Sequence, residues 1–231
     1  MIRMQNIFAL FIKQIKDTLK NMPVLVLYIV YPIIALVMAN AIPDQMETGG
    51  LFTAIFATMH CVFTPLVAAG SFLAEEKEQN TLRVLILSNV TLREYFISIG
   101  SFILIADLLT GSFFLLSSGT GLTESLLFLL SMAVGCLISI IFGICIGLYA
   151  KNSAAANAIA VPFGMLFSFL PMLAFFNKGI EQVARYSYGQ QISYLLSGKS
   201  LGLSGILILI ANTLILIVLS AYLYRKSLIE E

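Results

Sequence analysis

Charged residues are scarce in this chain of 231 residues: only 11% are Asp, Glu, Lys or Arg, against 59% hydrophobic residues. A soluble domain carries about 25% charged residues. Tryptophan is absent and the formal net charge is only +1, so nothing in the composition indicates a nucleic-acid partner. The scarcity of charge instead predicts that most of the chain lies in a lipid bilayer.

Residues that build metal or redox sites are also few. The single histidine, His60, lies in an apolar segment, and one histidine cannot form a zinc site without Cys, Asp or Glu ligands nearby. The three cysteines, Cys61, Cys136 and Cys145, lie in apolar segments without metal-ligand spacing, so we interpret them as packing residues. We therefore expect no metal bound by this chain.

A phosphate-binding loop is lacking as well. Gly198, Lys199 and Ser200 match the end of such a loop, but the motif requires a glycine five residues before Gly198, where Ser193 is found. The chain thus has no nucleotide-binding motif of its own, and we expect it to bind no cofactor.

Long apolar segments are abundant, and six of them have the length of about 20 residues that spans a bilayer. Continuous apolar character of this length is typical of helices, because barrel strands would alternate with a period of two. We predict an all-α membrane protein with six transmembrane helices in a single domain, residues 1–231. The predicted spans are Val24–Ile42, Leu51–Ala74, Phe96–Ser118, Ser125–Tyr149, Ala154–Phe176 and Leu201–Tyr224.

Basic residues set the expected orientation, since Lys and Arg accumulate on the cytoplasmic side of a membrane. With six spans, ten of the 13 Lys and Arg residues lie on the side that holds both termini and residues 75–95. Only Lys178, Arg185 and Lys199 lie on the other side. We therefore predict a multi-pass protein of the cell membrane with both termini in the cytoplasm.

Two further segments have an amphipathic pattern. Within residues 1–22, apolar residues recur at helical spacing and lysines occupy other faces, which is typical of a helix in the lipid headgroup layer. This helix could be an anchor for the first span or an elbow that moves with the spans, and the two interpretations are compatible. The connection 177–200 predicts one or two short amphipathic helices at the outer interface, with Gly189 as a break.

One acidic residue lies inside a predicted span. Asp107 is near the middle of the third span, close to Thr110, and an ionisable residue at that depth is a functional candidate. It could line a translocation path with Thr110 and with Asn157 of the fifth span, although Asn157 could also hydrogen-bond between helices. Alternatively, Asp107 is a packed carboxyl that hydrogen-bonds to a neighbouring helix.

Small residues recur every four positions in the fourth predicted span, at Gly135, Ser139, Gly143 and Gly147. Such a stripe allows two helix backbones to approach closely. We expect it to pack against another helix of the same chain, with a contact between subunits as the alternative.

The most highly charged stretch, Glu75–Tyr95, joins the second and third predicted spans. Its first four side chains are all ionic and cannot remain in lipid, where each would cost about 2.5–3.5 kcal/mol. Residues 81–87 predict a short apolar-rich helix, which Asn80 or Thr81 could cap. A short helix with exposed Leu and Arg side chains is suited to docking another protein.

This stretch resembles the signature of type-2 ABC transporter permeases, which reads approximately E-[RK]-E-x-G-T-L-x-x-L-L, followed by a small residue, Pro and a Ser/Thr-Arg pair. The matching residues are Glu76, Lys77, Glu78, Thr81, Leu82, Leu85 and Arg93. Asn80 stands where the family usually has Gly, and Asn89 where it usually has Pro. With the six spans, the N-terminal amphipathic helix and the long connection before the last span, the resemblance covers essentially the whole chain.

The resemblance implies that this chain is one permease half of an ATP-driven exporter, with residues 75–95 as a coupling helix. The implied partners are separate ABC ATPase subunits, which bind the ATP and Mg²⁺, and a second permease half, identical or homologous. The helices of residues 177–200 would form an outer gate. The residues expected to couple to the ATPase are Glu75, Glu76, Glu78, Thr81, Leu82, Arg83, Leu85 and Arg93.

We expect export of an amphipathic or hydrophobic substrate, with a membrane-active peptide favoured and a drug or lipid as alternatives. A proton-coupled secondary transporter using Asp107 is the main alternative function, but it predicts an internal repeat, and no convincing repeat is found. An intramembrane enzyme is disfavoured by the lack of clustered His, Asp or Cys. We do not expect the chain to be an enzyme by itself.

Overall fold

The computed structural model describes residues 3–41, 49–117 and 121–230, and every regular element in these ranges is a helix. The predicted all-α fold is therefore confirmed for that part of the chain. The predicted ends of the first and third spans, Ile42 and Ser118, lie outside the described residues.

Ten α-helices follow one another along the described residues. They are α1 (Met4–Lys20), α2 (Met22–Ala41), α3 (Gly49–Glu78), α4 (Thr81–Leu87), α5 (Leu92–Gly111), α6 (Leu122–Tyr149), α7 (Ser153–Phe176), α8 (Lys178–Ala184), α9 (Tyr188–Leu196) and α10 (Gly202–Glu230). A 3-10 helix, Ser112–Ser117, continues α5. In the bundle α2, α5 and α7 run away from α4, whereas α3, α6 and α10 run toward it.

Among the described residues, five helices are long and apolar enough to cross a membrane: α3, α5 with its 3-10 extension, α6, α7 and α10. The chain is therefore a multi-pass membrane protein. The predicted first span, α2, reaches this length and hydropathy only when counted together with α1, from which it is separated by a bend of 73°. The six-span count thus stays a prediction.

The central helix of the bundle is α3, which packs against α2, α5, α6, α7 and α9. Its approach to α6 is closest at the small residues of the predicted stripe. A Cβ atom at Gly143 would lie 2.4 Å from the carbonyl oxygen of Leu66, and one at Gly147 would lie 2.8 Å from Cβ of Leu73. This half of the stripe therefore packs within the chain, where only glycine leaves room for the α3 backbone.

The connection between α7 and α10 does not stay at the surface, because α9 turns back into the bundle and contacts α3, α6 and α7. Gly135 and Ser139 of the stripe face α9, and Ser139 Oγ lies 3.2 Å from the hydroxyl oxygen of Tyr188. The prediction that Gly189 breaks this connection is wrong. Gly189 is the second residue of α9, and a Cβ atom there would lie 2.2 Å from the Phe167 carbonyl oxygen.

Candidate functional site at the junction of α3, α4 and α5

Two asparagines make the turns of the junction that joins α3, α4 and α5. Asn80 and Asn89 have φ angles of 57° and 62°, in the left-handed region that Asn tolerates better than most residues. The N–H of Asn89 donates to the carbonyl oxygen of Ile86 at 3.0 Å. Glycine would fit the backbone of Asn80, but proline could adopt neither the φ angle nor the hydrogen bond of Asn89. The departure from the permease signature at position 89 is therefore a real difference in turn geometry.

Glu76, near the end of α3, is bound to two neighbouring helices. Its carboxylate forms an ion pair with Nζ of Lys13 in α1 and accepts a hydrogen bond from Oγ1 of Thr81 at the start of α4. Nζ of Lys13 also lies 3.6 Å from the carboxylate of Asp17. Since only 8% of Glu76 is exposed, its carboxylate is largely shielded from solvent. Glu76 thus holds α1 and α4 against the end of α3.

Lys77, the next residue, reaches α6. Its Nζ donates hydrogen bonds to the backbone oxygens of Gly147, Leu148 and Ala150, at 3.2, 2.9 and 2.7 Å. The last carbonyl groups of a helix have no N–H partner within the helix. The ammonium group satisfies these oxygens and also interacts favourably with the negative end of the α6 dipole.

Glu78 contacts a fourth helix, α7. Its Oε2 accepts a hydrogen bond of 2.9 Å from the N–H of Ser153, the first residue of α7, where the positive end of the helix dipole favours a carboxylate. Consecutive residues of a helix point about 100° apart, so three adjacent side chains extend in three different directions. We call Glu76, Lys77 and Glu78 the EKE clamp, because together they connect α3 to α1, α4, α6 and α7.

A capping box fixes the start of α5. The N–H of Thr91 donates to the Glu94 carboxylate at 2.9 Å, and the N–H of Glu94 donates to Thr91 Oγ1 at 3.3 Å. The same carboxylate accepts hydrogen bonds from the N–H of Arg3 at 2.6 Å and from the side-chain amide of Asn6 at 3.1 Å. Our sequence prediction missed Glu94. The Thr-x-x-Glu spacing before an apolar run is the signal that could have found it.

The short helix α4 has one face packed against the bundle and one exposed face. Leu82 and Leu85 are half-buried and pack against the core formed by α1, α2, α3, α5 and α6. By contrast, 60% of Val84 and 77% of Leu87 are exposed. The outward face of α4 consists of Arg83, Val84, Ile86 and Leu87.

Seven of the eight residues predicted to couple to an ATPase therefore fall into two groups. Glu76, Thr81, Leu82 and Leu85 face the protein, whereas Glu78, Arg83 and Arg93 are exposed. Glu75 is half-buried and accepts a hydrogen bond of 3.1 Å from the side-chain amide of Gln79. The exposed apolar residues Val84 and Leu87 were missed, because a helix of seven residues has too few turns for periodicity to orient its faces.

A second polar site lies inside the bundle. His60 and Asp107 are both fully buried, and Nε2 of His60 lies 3.2 Å from Oδ1 of Asp107. The same nitrogen lies 3.0 Å from Oγ1 of Thr110. Asp107 therefore contacts the histidine that we had interpreted as a structural residue rather than a metal ligand. Both residues are ionisable and lie in adjacent apolar segments, but the sequence does not show that their helix faces meet.

Asn157, the third residue of the predicted path, lies elsewhere. Its Oδ1 accepts a hydrogen bond of 2.6 Å from Oγ of Ser71, which links α7 to α3. The structure therefore brings Asp107 and Thr110 together but not Asn157. Its role in hydrogen bonding between helices agrees with our second interpretation.

Comparisons with known proteins leave the class of this protein open. No family model matches the chain, and neither the comparison with curated proteins nor that with solved structures finds a match. Within the described residues, no group of three or more His, Cys, Asp or Glu side chains is arranged to hold a metal ion.

We expect Lys77→Met to destabilise the protein by about 1.5–3 kcal/mol, because hydrogen bonds from a charged donor to the end of α6 are lost. The matched control is Arg83→Met, which removes an exposed cation from the same junction. The midpoint of thermal unfolding in detergent should fall clearly for Lys77→Met and stay near the wild-type value for the control. Equal midpoints for the two variants would show that Lys77 does not hold α6.

Proposed function

We propose that this chain is the permease subunit of an ATP-driven ABC exporter and that α4 docks on a separate ATPase subunit. The observation that carries the proposal is the combination of an exposed apolar face on α4 with the EKE clamp behind it. Val84, Ile86 and Leu87 are exposed together on α4, and a contiguous apolar patch of this kind is suited to burial against another protein. The clamp connects that docking helix to α1, α6 and α7.

This arrangement suits the transfer of force from a partner to the spans. Leu82 and Leu85 pack α4 against the core, and Thr81 at the start of α4 donates a hydrogen bond to Glu76 of the EKE clamp. A displacement of α4 would therefore be passed to the ends of several helices at once. Interfaces and packed cores switch between discrete arrangements, so small shifts of this kind can reorient whole helices.

The proposed orientation places α4 in the cytoplasm. Ten of the 13 Lys and Arg residues lie at the α4 end of the bundle or in the terminal segments beside it, as the positive-inside rule requires. We propose α2 as a sixth span and α1 as an interfacial helix, since Phe8 and Leu19 are exposed on α1 together with Lys16 and Lys20. Both termini are then cytoplasmic in the cell membrane.

The proposed assembly contains two ATPase subunits and a second permease half, identical or homologous. ATP and Mg²⁺ bind the ATPase subunits, and this chain has no enzymatic role of its own. The apolar faces that α5, α7 and α10 leave uncovered are suited to lipid, to the second half and to an amphipathic or hydrophobic substrate. Among such substrates we favour a membrane-active peptide over a drug or a lipid.

We expect the double variant Val84→Asp, Leu87→Asp to reduce the amount of co-purified ATPase about tenfold or more. An unpaired carboxylate in a docking interface costs more than the ~1.4 kcal/mol that corresponds to this factor. The measurement is affinity purification from native membranes, with the ATPase quantified by mass spectrometry.

The control for this experiment is Leu122→Asp, since Leu122 is 80% exposed at the opposite end of the bundle. It should leave the recovery of the ATPase unchanged. The docking assignment is wrong if both variants recover as much ATPase as the wild type.

A proton-coupled carrier is the second candidate function, and the buried His60–Asp107 pair is the observation that favours it. Ionisable residues inside a membrane bundle occur in the proton relays of pumps and transporters. A carrier of this kind would move protons without any ATPase.

Proteoliposomes that contain only this chain distinguish the two candidates. With a pH-sensitive dye inside and a pH gradient imposed, we expect the wild type and Asp107→Asn to equilibrate protons at the same slow rate as protein-free liposomes. Faster equilibration by the wild type, abolished in Asp107→Asn, would instead support the carrier.

A further inference from the structure

A small cavity lies at the end of the bundle opposite α4. It has a volume of about 220 Å³ and is lined by the first turns of α3, the end of α7, α8, α9 and the segment that follows α9. Sites for drug-sized ligands usually measure about 300–1,000 Å³, so this cavity suits a headgroup or a single side chain. Its wall combines apolar residues such as Leu51 and Phe175 with polar residues from α8 and α9.

Two acceptor groups meet in this cavity. The hydroxyl of Tyr194 donates to Oε1 of Glu181 at 3.0 Å, and burial together with the nearby Glu181 raises the pKa of Tyr194, so its proton stays in place. Gln190 is only 4% exposed and lines the same cavity, but its Oε1 has no hydrogen-bond partner among the described residues. A buried carbonyl oxygen without a donor is unfavourable, so this oxygen can accept a hydrogen bond from a ligand that enters the cavity.

A cation lies beside the same tyrosine. Nζ of Lys199 lies 5.5 Å from the centre of the Tyr194 ring and also lines the cavity. Among the described residues, the guanidinium group of the nearby Arg185 bonds to the Tyr186 hydroxyl at 2.7 Å and covers that ring rather than pairing with Glu181. The cavity therefore presents a carboxylate bonded to the Tyr194 hydroxyl and an ammonium group near the Tyr194 ring.

A ligand complementary to this cavity is a zwitterion with a donor-bearing cation and a nearby anion. We propose that the cavity binds the phosphoethanolamine headgroup of a phospholipid from the adjacent leaflet. Its primary ammonium donates to Glu181 and to Oε1 of Gln190, and its phosphate pairs with Lys199. The apolar wall beside Leu51 and Phe175 accommodates the start of the acyl chains. This site does not depend on the docking of α4.

Native mass spectrometry of the delipidated protein tests the site by titration with defined lipids. Phosphatidylethanolamine should bind at least tenfold more tightly than phosphatidylcholine, whose trimethylammonium group has no N–H to donate. It should also bind more tightly than phosphatidylglycerol, which lacks the cation. Equal affinity for phosphatidylethanolamine and phosphatidylcholine would overturn the proposal.

Substitutions of the charged residues of the cavity test whether phosphatidylethanolamine binds there. Glu181→Gln and Lys199→Gln should each weaken phosphatidylethanolamine binding about tenfold, since each removes one charge-assisted contact. Glu124→Gln and Lys178→Gln, which remove exposed charges at the same end of the bundle, should leave the affinity unchanged. A loss of affinity that is the same in all four variants would refute the assignment.

Competition with a soluble headgroup analogue distinguishes a lipid ligand from a free amine. Glycerophosphoethanolamine carries the same headgroup without acyl chains and should displace the lipid only at concentrations at least a hundredfold higher. Displacement at equal concentration would show that the site takes a soluble amine and would contradict the lipid assignment.

Discussion

A charged group at the end of an apolar helix must find water or a partner, and the end of α3 satisfies this requirement with neighbouring helices. Glu76 pairs with Lys13, Lys77 caps the carbonyl oxygens at the end of α6, and Glu78 accepts from the first N–H of α7. Each contact satisfies a charge or a backbone group that would otherwise lack a partner at a helix end. The arrangement of the other helices around α3 depends on this clamp at one end of the bundle.

The clamp acts together with close backbone packing further along α3. At Gly143 and Gly147 the backbones of α3 and α6 approach so closely that a side chain is excluded, and Lys77 then joins the ends of the same two helices. Two helices held at several points along their length move as one body. The short helix α4 is attached to these two helices. Because Leu82 packs against the core and Leu87 is exposed, α4 is suited to docking a partner protein.

The helical fold and the position of the junction could be predicted from sequence, because apolar length and clustered charge depend on local composition. Contacts between segments that are distant in the sequence could not be predicted in this way. Asp107 and His60 are 47 positions apart, and nothing in the sequence shows that their helix faces meet. The burial of α9 was missed because Gln190 and Gln191 suggest a surface, although Nε2 of Gln191 bonds to the Arg185 carbonyl oxygen inside the chain. The packing of Leu82 against the core could not be predicted, because α4 is too short for the periodicity of its apolar residues to orient its faces.

The central claim is that the outward face of α4 contacts an ATP-hydrolysing subunit. Site-specific photo-crosslinking in native membranes tests it most directly, with the photoreactive residue placed at Leu87 and, for comparison, at Leu122. Our account predicts that position 87 crosslinks to a protein with a nucleotide-binding domain and that position 122 does not. Crosslinks from position 87 to lipid or to this chain alone would contradict the account.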